Sequence, residues 1–306
     1  MKMKKFIAAV AMVSMFAAAL TGCGSDDSDA ANKEGGSGAA SSEWDSTNDI
    51  TVVSREDGSG TRGAFIELFG VEEEVDGEKV DMTTEGAQIT NSTSVMLTTV
   101  AGDEYAIGYV SLGSLDDTVK AVKIDGAEAT AENIKSGTYK VSRPFNIATK
   151  ADLDNEVAAD FINFIMSEEG QKVIADNGYI PVDDVKAFEG TQPSGKAVVG
   201  GSSSVSPVME KLAEAYKEVN PNAEIELQTS DSTTGMTSAI DGSYDIGMAS
   251  RELKDEELAK GLTATVIATD GIAVIINKTN PAEDMTADQV KAIYTGEALS
   301  WDEVVE

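Results

Sequence analysis

From residue 50 onward, short runs rich in β-branched residues alternate with amphipathic runs of helical period. That alternation limits the possible folds more than any other feature of the chain. The strand candidates are 50–54, 106–110, 120–124, 197–199, 223–228, 246–249, 265–268 and 272–276. The helix candidates are 63–69, 131–136, 153–166, 168–175, 207–219, 235–241, 255–260 and 287–294. Pro207 falls in the first turn of its helix, where a missing N–H costs nothing. Met209, Leu212, Ala213, Tyr216 and Val219 follow it as one apolar stripe, which reads as core. Strands that alternate with helices build mainly parallel sheets covered by helices, the α/β class. With 306 residues, 41% of them hydrophobic, there is enough chain for two such units with real cores.

Three of the strand-to-helix turns share an unusual composition. The first, residues 54–63, runs Ser-Arg-Glu-Asp-Gly-Ser-Gly-Thr-Arg-Gly. Glycines allow close backbone approach to a ligand, and the free N–H groups of a helix start point at it. Ser59 and Thr61 add hydroxyls, and Arg55 adds a forked positive charge suited to an oxyanion, with Asp57 placed to hold its plane. The second turn, residues 200–207, is Gly-Gly-Ser-Ser-Ser-Val-Ser-Pro, and the third, residues 230–235, is Ser-Asp-Ser-Thr-Thr-Gly. Each turn taken alone is equally an ordinary capped helix start. Together they suggest several helix N-termini converging on one anion. None carries the GxxxxGK[ST] phosphate loop or a dinucleotide fingerprint.

Composition removes whole classes of chemistry. The chain has no histidine, one cysteine and a formal net charge of −31. Ser-His-Asp hydrolysis and histidine-ligated zinc are therefore impossible within it. Nucleic acid is a poor partner for so acidic a surface, and the spread acidity reads as solubility. No cofactor and no metal site are expected.

The N-terminus reads as a targeting segment. Lys2, Lys4 and Lys5 precede an apolar stretch, 6–19, that is too short to span a bilayer. It ends in Leu20-Thr21-Gly22-Cys23, which resembles a bacterial lipobox. Residues 1–22 are thus expected to be a lipoprotein signal peptide, with Cys23 carrying the lipid that anchors the protein to the membrane. Residues 23–49 are expected to be the lipidated cysteine and a flexible tether, since 24–42 have almost no apolar content.

Many separate segments carry a family resemblance. SREDGSGTRGAF (54–65), AIGYVSLG (106–113), RPFNI (143–147), FIMSEEGQ (164–171), VVGGSSSVSPVMEKLAEAY (198–216), DIGMASREL (245–253), DGIAVIIN (270–277) and AIYTGE (292–297) resemble the phosphate ABC-transporter substrate-binding proteins. The resemblance covers nearly everything from residue 50 to the end. It implies a two-lobed α/β fold of the periplasmic-binding-protein type II kind, with phosphate clamped in a cleft between lobes. Residue by residue, it implies that Arg55, Ser59, Gly60 and Thr61 form the arginine and GSGT cradle, that Ser203 and Ser204 form the first-loop pair, and that Ser232 opens the second helix. Ser250 stands where several family members carry an aspartate that accepts the proton of bound phosphate. Glu56, Asp57 or a backbone carbonyl are the open candidates for that role here.

The order of these segments differs from the family's, in which the GSSSVSP-type loop comes first. The chain therefore resembles a circular permutant. On that reading, 50–113 and 277–306 form a split lobe and 114–276 a continuous one. The function implied is capture of inorganic phosphate for an ABC importer, with the permease as partner and no chemistry. The alternatives are a binding protein for sulfate, molybdate or tungstate, or a surface phosphatase.

Overall fold

The computed structural model describes residues 44–305. The signal segment, Cys23 and most of the expected tether lie outside the described residues. The tether was expected to reach residue 49, but residues 44–49 belong to the folded body. Trp44 packs tilted against Tyr105 and edge-on to Trp301, with ring centroids 5.7 and 5.8 Å away. Its indole N–H donates to the Glu104 carbonyl. One large aromatic ring is enough to bring the end of a polar segment onto the core.

The chain begins with β1 (Thr51–Arg55), α1 (Gly60–Leu68), the hairpin β2 (Glu72–Val75) and β3 (Glu78–Asp81), β4 (Gln88–Thr90), α2 (Thr93–Gly102) and β5 (Ala106–Ser111). Two short strands, β6 (Lys120–Ala121) and β7 (Lys123–Ile124), and α3 (Ala131–Lys135) follow. The strand β8 (Ser142–Lys150) then leads into α4 (Glu156–Ile165), α5 (Glu168–Asp176), β9 (Ile180–Pro181), β10 (Gly195–Ser202), α6 (Ser206–Val219), β11 (Ala223–Ser230), α7 (Ser232–Asp241), β12 (Ile246–Ala249) and α8 (Asp255–Ala259). The 15-residue strand β13 (Leu262–Ile276) leads back to β14 (Asp284–Met285) and α9 (Ala287–Thr295). The main sheet runs β11-β10-β12-β8-β13-β5-β1-β4. Pairing is parallel at the two ends, among β10, β11 and β12 and among β1, β4 and β5. It is antiparallel through the middle, where β8 and β13 lie.

The hydrophobic core divides along the same lines. One set of clusters joins Val52, Phe65, Tyr109, Val122, Ile134 and Val141 to Ile272, Tyr294 and Trp301. Another joins Phe145, Phe161, Val199, Leu212 and Met248 to Ile267 and Ala268. The lobes therefore change over between Val141 and Phe145 on β8, and between Ala268 and Ile272 on β13. This corrects the expected boundaries at 113/114 and 276/277, because 119–141 pack with the β1 lobe. The cause is Pro144. A proline argues against a central strand, so β8 is not legible as the crossover. β13 in turn reads as two strands because Thr269, Asp270 and Gly271 interrupt its apolar run. The two ends of the body are neighbours in one lobe: the Ile50 amide donates to the Leu299 carbonyl, and the Tyr294 hydroxyl to the Val53 carbonyl.

At the midpoint of both crossovers, Arg143 and Asp270 are cross-strand partners and form a buried ion pair at 3.1 Å. The Ser111 hydroxyl adds a hydrogen bond to the other oxygen of Asp270. Burial nevertheless outweighs these partners and pushes the Asp270 carboxyl up to about 6. A buried pair of this kind contributes little net stability over apolar replacements, yet breaking one half of it is costly. Arg143→Met alone is expected to lower the unfolding free energy by about 3–5 kcal/mol. The double variant Arg143→Met/Asp270→Leu should recover most of that loss in urea unfolding. A double variant no more stable than the single one would contradict this reading of the buried pair.

Candidate functional site

The polar turns singled out in the sequence all lie at carboxyl ends of parallel strands. β1 ends at Arg55 and is followed by α1, β10 ends at Ser202 and is followed by α6, and β11 ends at Ser230 and is followed by α7. In open α/β sheets ligands bind outside the carboxyl ends of the strands. The antiparallel middle of the sheet turns the two parallel ends so that these edges face one another.

Arg55 is buried, with 2% of its side chain exposed, and its position is fixed from both sides. Its amide donates to the Tyr109 hydroxyl, which also meets the Ser54 hydroxyl at 2.9 Å. Tyr109 stacks on Phe65 of α1 at 4.0 Å, and burial pushes its hydroxyl up to about 12, so it stays protonated. The guanidinium makes a two-point bond with Glu56, Nε to Oε2 at 2.8 Å and Nη2 to Oε1 at 2.7 Å. Asp57, the expected partner, is 98% exposed and pairs with Arg62 instead. The reason is local: Arg62 on α1 also donates to the Arg55 carbonyl, which holds it over the loop and within reach of Asp57.

From this anchor Arg55 reaches across the cleft, and its Nη2 donates to the Ser203 hydroxyl at 3.1 Å. Thr61 and Ser204 meet hydroxyl to hydroxyl at 2.8 Å, again one residue from each lobe. Arg55, Thr61, Ser203 and Ser204 thus come together as one buried cluster. Ser232 and Ser250 form a second, adjoining group. The Ser250 amide donates to the Ser232 hydroxyl at 3.1 Å, and the Ser202 hydroxyl donates to that of Ser250 at 2.9 Å. Gly60 faces this group so closely that a Cβ there would lie 2.4 Å from Ser232 Oγ and 2.8 Å from Ser250 Oγ. The Ser59 hydroxyl oxygen caps α1 by accepting from the Arg62 amide, which leaves its O–H available to donate.

The α7 turn reaches the cleft through a contact between glycines. Gly201 adopts φ +137, and a Cβ there would meet the Met248 carbonyl at 2.3 Å and Gly235 Cα at 3.0 Å. Only bare backbone on both sides brings the start of α7 down onto β10. Asp231 caps α7 through the Thr234 amide, and Thr233 donates from its amide and hydroxyl to the Gly58 carbonyl, so the two lobes touch at this turn.

One cleft residue was not read from the sequence. Thr93, the first residue of α2, lies 3.1 Å from Ser204 Oγ and 3.3 Å from Ser203 Oγ, hydroxyl to hydroxyl. The helix TSVMLTTVAG has no acidic first turn and no clear apolar stripe, and it is rich in β-branched residues. The only available signal was the polar run Thr90-Asn91-Ser92-Thr93-Ser94, the same kind of strand-to-helix turn as the other three.

A family profile described as the PBP superfamily domain matches residues 17–169 and 187–305. The phosphate-binding protein PstS 2 of Streptococcus agalactiae is 60% identical over 256 residues, which are 83% of this chain and 87% of that protein. The phosphate-binding protein PstS 2 of Streptococcus pneumoniae is 41% identical over 305 residues, which are 99% of this chain and 100% of its own. A crystal structure from S. pneumoniae, described as the phosphate-binding protein of a phosphate ABC transporter, superposes with a TM-score of 0.66 at 43% identity and covers 84% of this chain and 100% of its own. With its lobes, its facing strand ends and this likeness over nearly its full length, the chain belongs to the PBP superfamily and, within it, to the family of phosphate-binding proteins called PstS.

Proposed function

We propose that this protein captures inorganic phosphate between its lobes and delivers it, chemically unchanged, to the membrane permease of an ABC importer. The observation that carries this reading is the cluster in which Arg55 and Thr61 of one lobe meet Ser203 and Ser204 of the other. These are donors of the kind an oxyanion needs, built on rigid strand ends and brought together only when the lobes meet. The ligand would be held by the Arg55 fork, by the backbone of Gly60 and Thr61 at the start of α1, and by the hydroxyls of Thr61, Ser203 and Ser204, with Ser232 and Ser250 beside them. Ser59 caps α1 through its oxygen and keeps its O–H for the ligand. A phosphate oxygen gains more from such donors than the neutral hydroxyls now in contact with them.

Calorimetry on the full chain in mild detergent, titrated with phosphate, sulfate, arsenate and molybdate, tests the reading. Phosphate is expected to bind well ahead of sulfate, and equal affinities at neutral pH would favour a general oxyanion site. Loss of a buried, hydrogen-bonded charge costs about 2–5 kcal/mol. Arg55→Ala should therefore weaken phosphate binding by roughly tenfold or more, and Arg55→Lys should not restore it, since the two-point fork is lost. An Arg55→Ala variant that binds as tightly as the parent would remove Arg55 from the site.

Closure gives a second test. The three side-chain atoms nearest the added Cβ of Gly60→Ala, on Ser232, Ser250 and Arg251, all belong to the opposite lobe. Overpacking costs about 1–3 kcal/mol, and here it should appear as weaker phosphate affinity with an unchanged melting temperature of the free protein. A drop in melting temperature without loss of affinity would contradict this.

We also propose that Cys23 carries a lipid, which places the body outside the cytoplasm and on the membrane. Cys23→Ala should move the protein out of the membrane fraction or leave it as uncleaved precursor, and a mutant that still fractionates as the mature lipoprotein would refute the proposal. Finally, we propose that the segment order arose by circular permutation. The adjacency of Ile50 and Leu299 in one lobe supports it, because the present ends lie close enough to have been joined in a parent chain.

A further inference from the structure

We propose that Thr93 is a phosphate-holding residue of the cleft, offering the anion the first free N–H of α2 and a hydroxyl. The inference rests on the phosphate-binding reading above and adds a fourth helix start to it.

The fold delivers Thr93 to this position through β4. β4 pairs in parallel with β1, and Arg55 stands opposite Thr90 in the register. Two further bonds tie the strand ends together: the Glu56 amide donates to the Thr90 carbonyl, and the Thr90 hydroxyl to the Ser54 carbonyl. The turn that begins α2 therefore starts level with the arginine and three residues from the cleft.

A helix leaves its first N–H groups without partners inside the helix. Ser92 caps α2, but its hydroxyl accepts from the Val95 amide, which leaves that of Thr93 free to point outward. It donates to the Ser203 hydroxyl oxygen at 3.3 Å. The same oxygen accepts from Arg55 Nη2 at 3.1 Å. Two N–H groups, one on the β1 end and one on the α2 start, thus converge on one oxygen atom supplied by the opposite lobe. Thr93 Oγ1 lies within 3.3 Å of that oxygen and 3.1 Å from Ser204 Oγ, which in turn contacts Thr61. Ser203 Oγ is a neutral stand-in for an anionic oxygen, and a charged acceptor at this point of convergence forms stronger bonds with the same donors. The absence of acidic residues from the first turn of α2 leaves its positive end uncompensated. Thr93 is also 95% buried, so its donors do not face bulk water.

Three substitutions separate the two donors. Thr93→Ser keeps both. Thr93→Val removes the hydroxyl and keeps the N–H. Thr93→Pro removes both, and the backbone accepts it, because proline is favoured at the first helical position and Ser92 before it is extended at φ −163, ψ 162. Calorimetry with inorganic phosphate on the full chain in mild detergent is expected to give Thr93→Ser within about threefold of the parent. A hydrogen bond to a charged group contributes about 1.5–3 kcal/mol, so Thr93→Val should lose roughly tenfold and Thr93→Pro roughly a hundredfold. The melting temperature of the free Thr93→Val protein should stay at the parent value, whereas a structural role would lower it in step with affinity. If the proline variant fails to fold, Thr93→Val and Thr93→Ser decide the matter. A parent that binds phosphate while Thr93→Val binds it equally well overturns the hydroxyl contact and with it the proposal of two donors, and a folded Thr93→Pro that binds equally well overturns the N–H contact. A parent that binds no phosphate overturns the reading on which the proposal rests.

Discussion

The antiparallel ladder between β8 and β13 is the constraint on which the rest of the molecule depends. Both strands leave one hydrophobic core and enter the other, and they pair from Ser142 opposite Gly271 to Lys150 opposite Leu262, with one bulge between Val266 and Ala268. Each parallel array is attached to this ladder on one side, β5 and β1 to β13, and β12 and β10 to β8. The reversal between the arrays makes their carboxyl ends face each other. A single parallel sheet would place all its helix starts along one edge with nothing opposite. The Arg143–Asp270 pair sits where the ladder passes between the cores, and its directional bonds fix the register at that point.

On the proposed reading, the cleft meets its ligand with donors that are mostly neutral. The protein carries a net charge of −31, and its arginines 55, 62, 143 and 251 are each paired with a carboxylate. Within a buried site the long-range charge of the surface is screened by solvent, and local dipoles decide the outcome. The two-point bond to Glu56 holds Arg55 rigid, and the second N–H of Nη2 bonds forward to Ser203. A fixed fork loses less entropy on binding than a mobile lysine would. The hydroxyls of Thr61, Thr93, Ser203 and Ser204 can each turn to donate or accept, which suits the proposed oxyanion in either protonation state.

Much of this was legible in the sequence because the relevant signals are local. The Arg55 turn, the Gly200–Ser204 turn and the Ser232 turn each announce a strand end and a helix start within a few residues. The helices with strong apolar stripes, such as α6, were read almost to the residue. What escaped was non-local or atypical. α2 packs through Met96 and Val100 but has no stripe, so Thr93 was missed. β8 was obscured by Pro144, and with it the place where the lobes change over. The partner of Arg55 depended on where α1 carries Arg62, and no spacing along the chain distinguishes Glu56 from Asp57 in that respect. The fold as a whole was recoverable from the alternation of strands and helices because both arrays are made of short, contiguous strand–helix units.

The central claim is that an oxyanion is enclosed by the strand ends of both lobes. A crystal structure of the protein grown with phosphate tests this most directly. The expected result is one phosphate in the cleft, with one oxygen taking the place of Ser203 Oγ on Arg55 Nη2 and the remaining oxygens on the turns at Gly60–Thr61 and Ser203–Ser204. Phosphate bound only at the surface, or a cleft in which Arg55 still bonds to Ser203 at saturating phosphate, would contradict it.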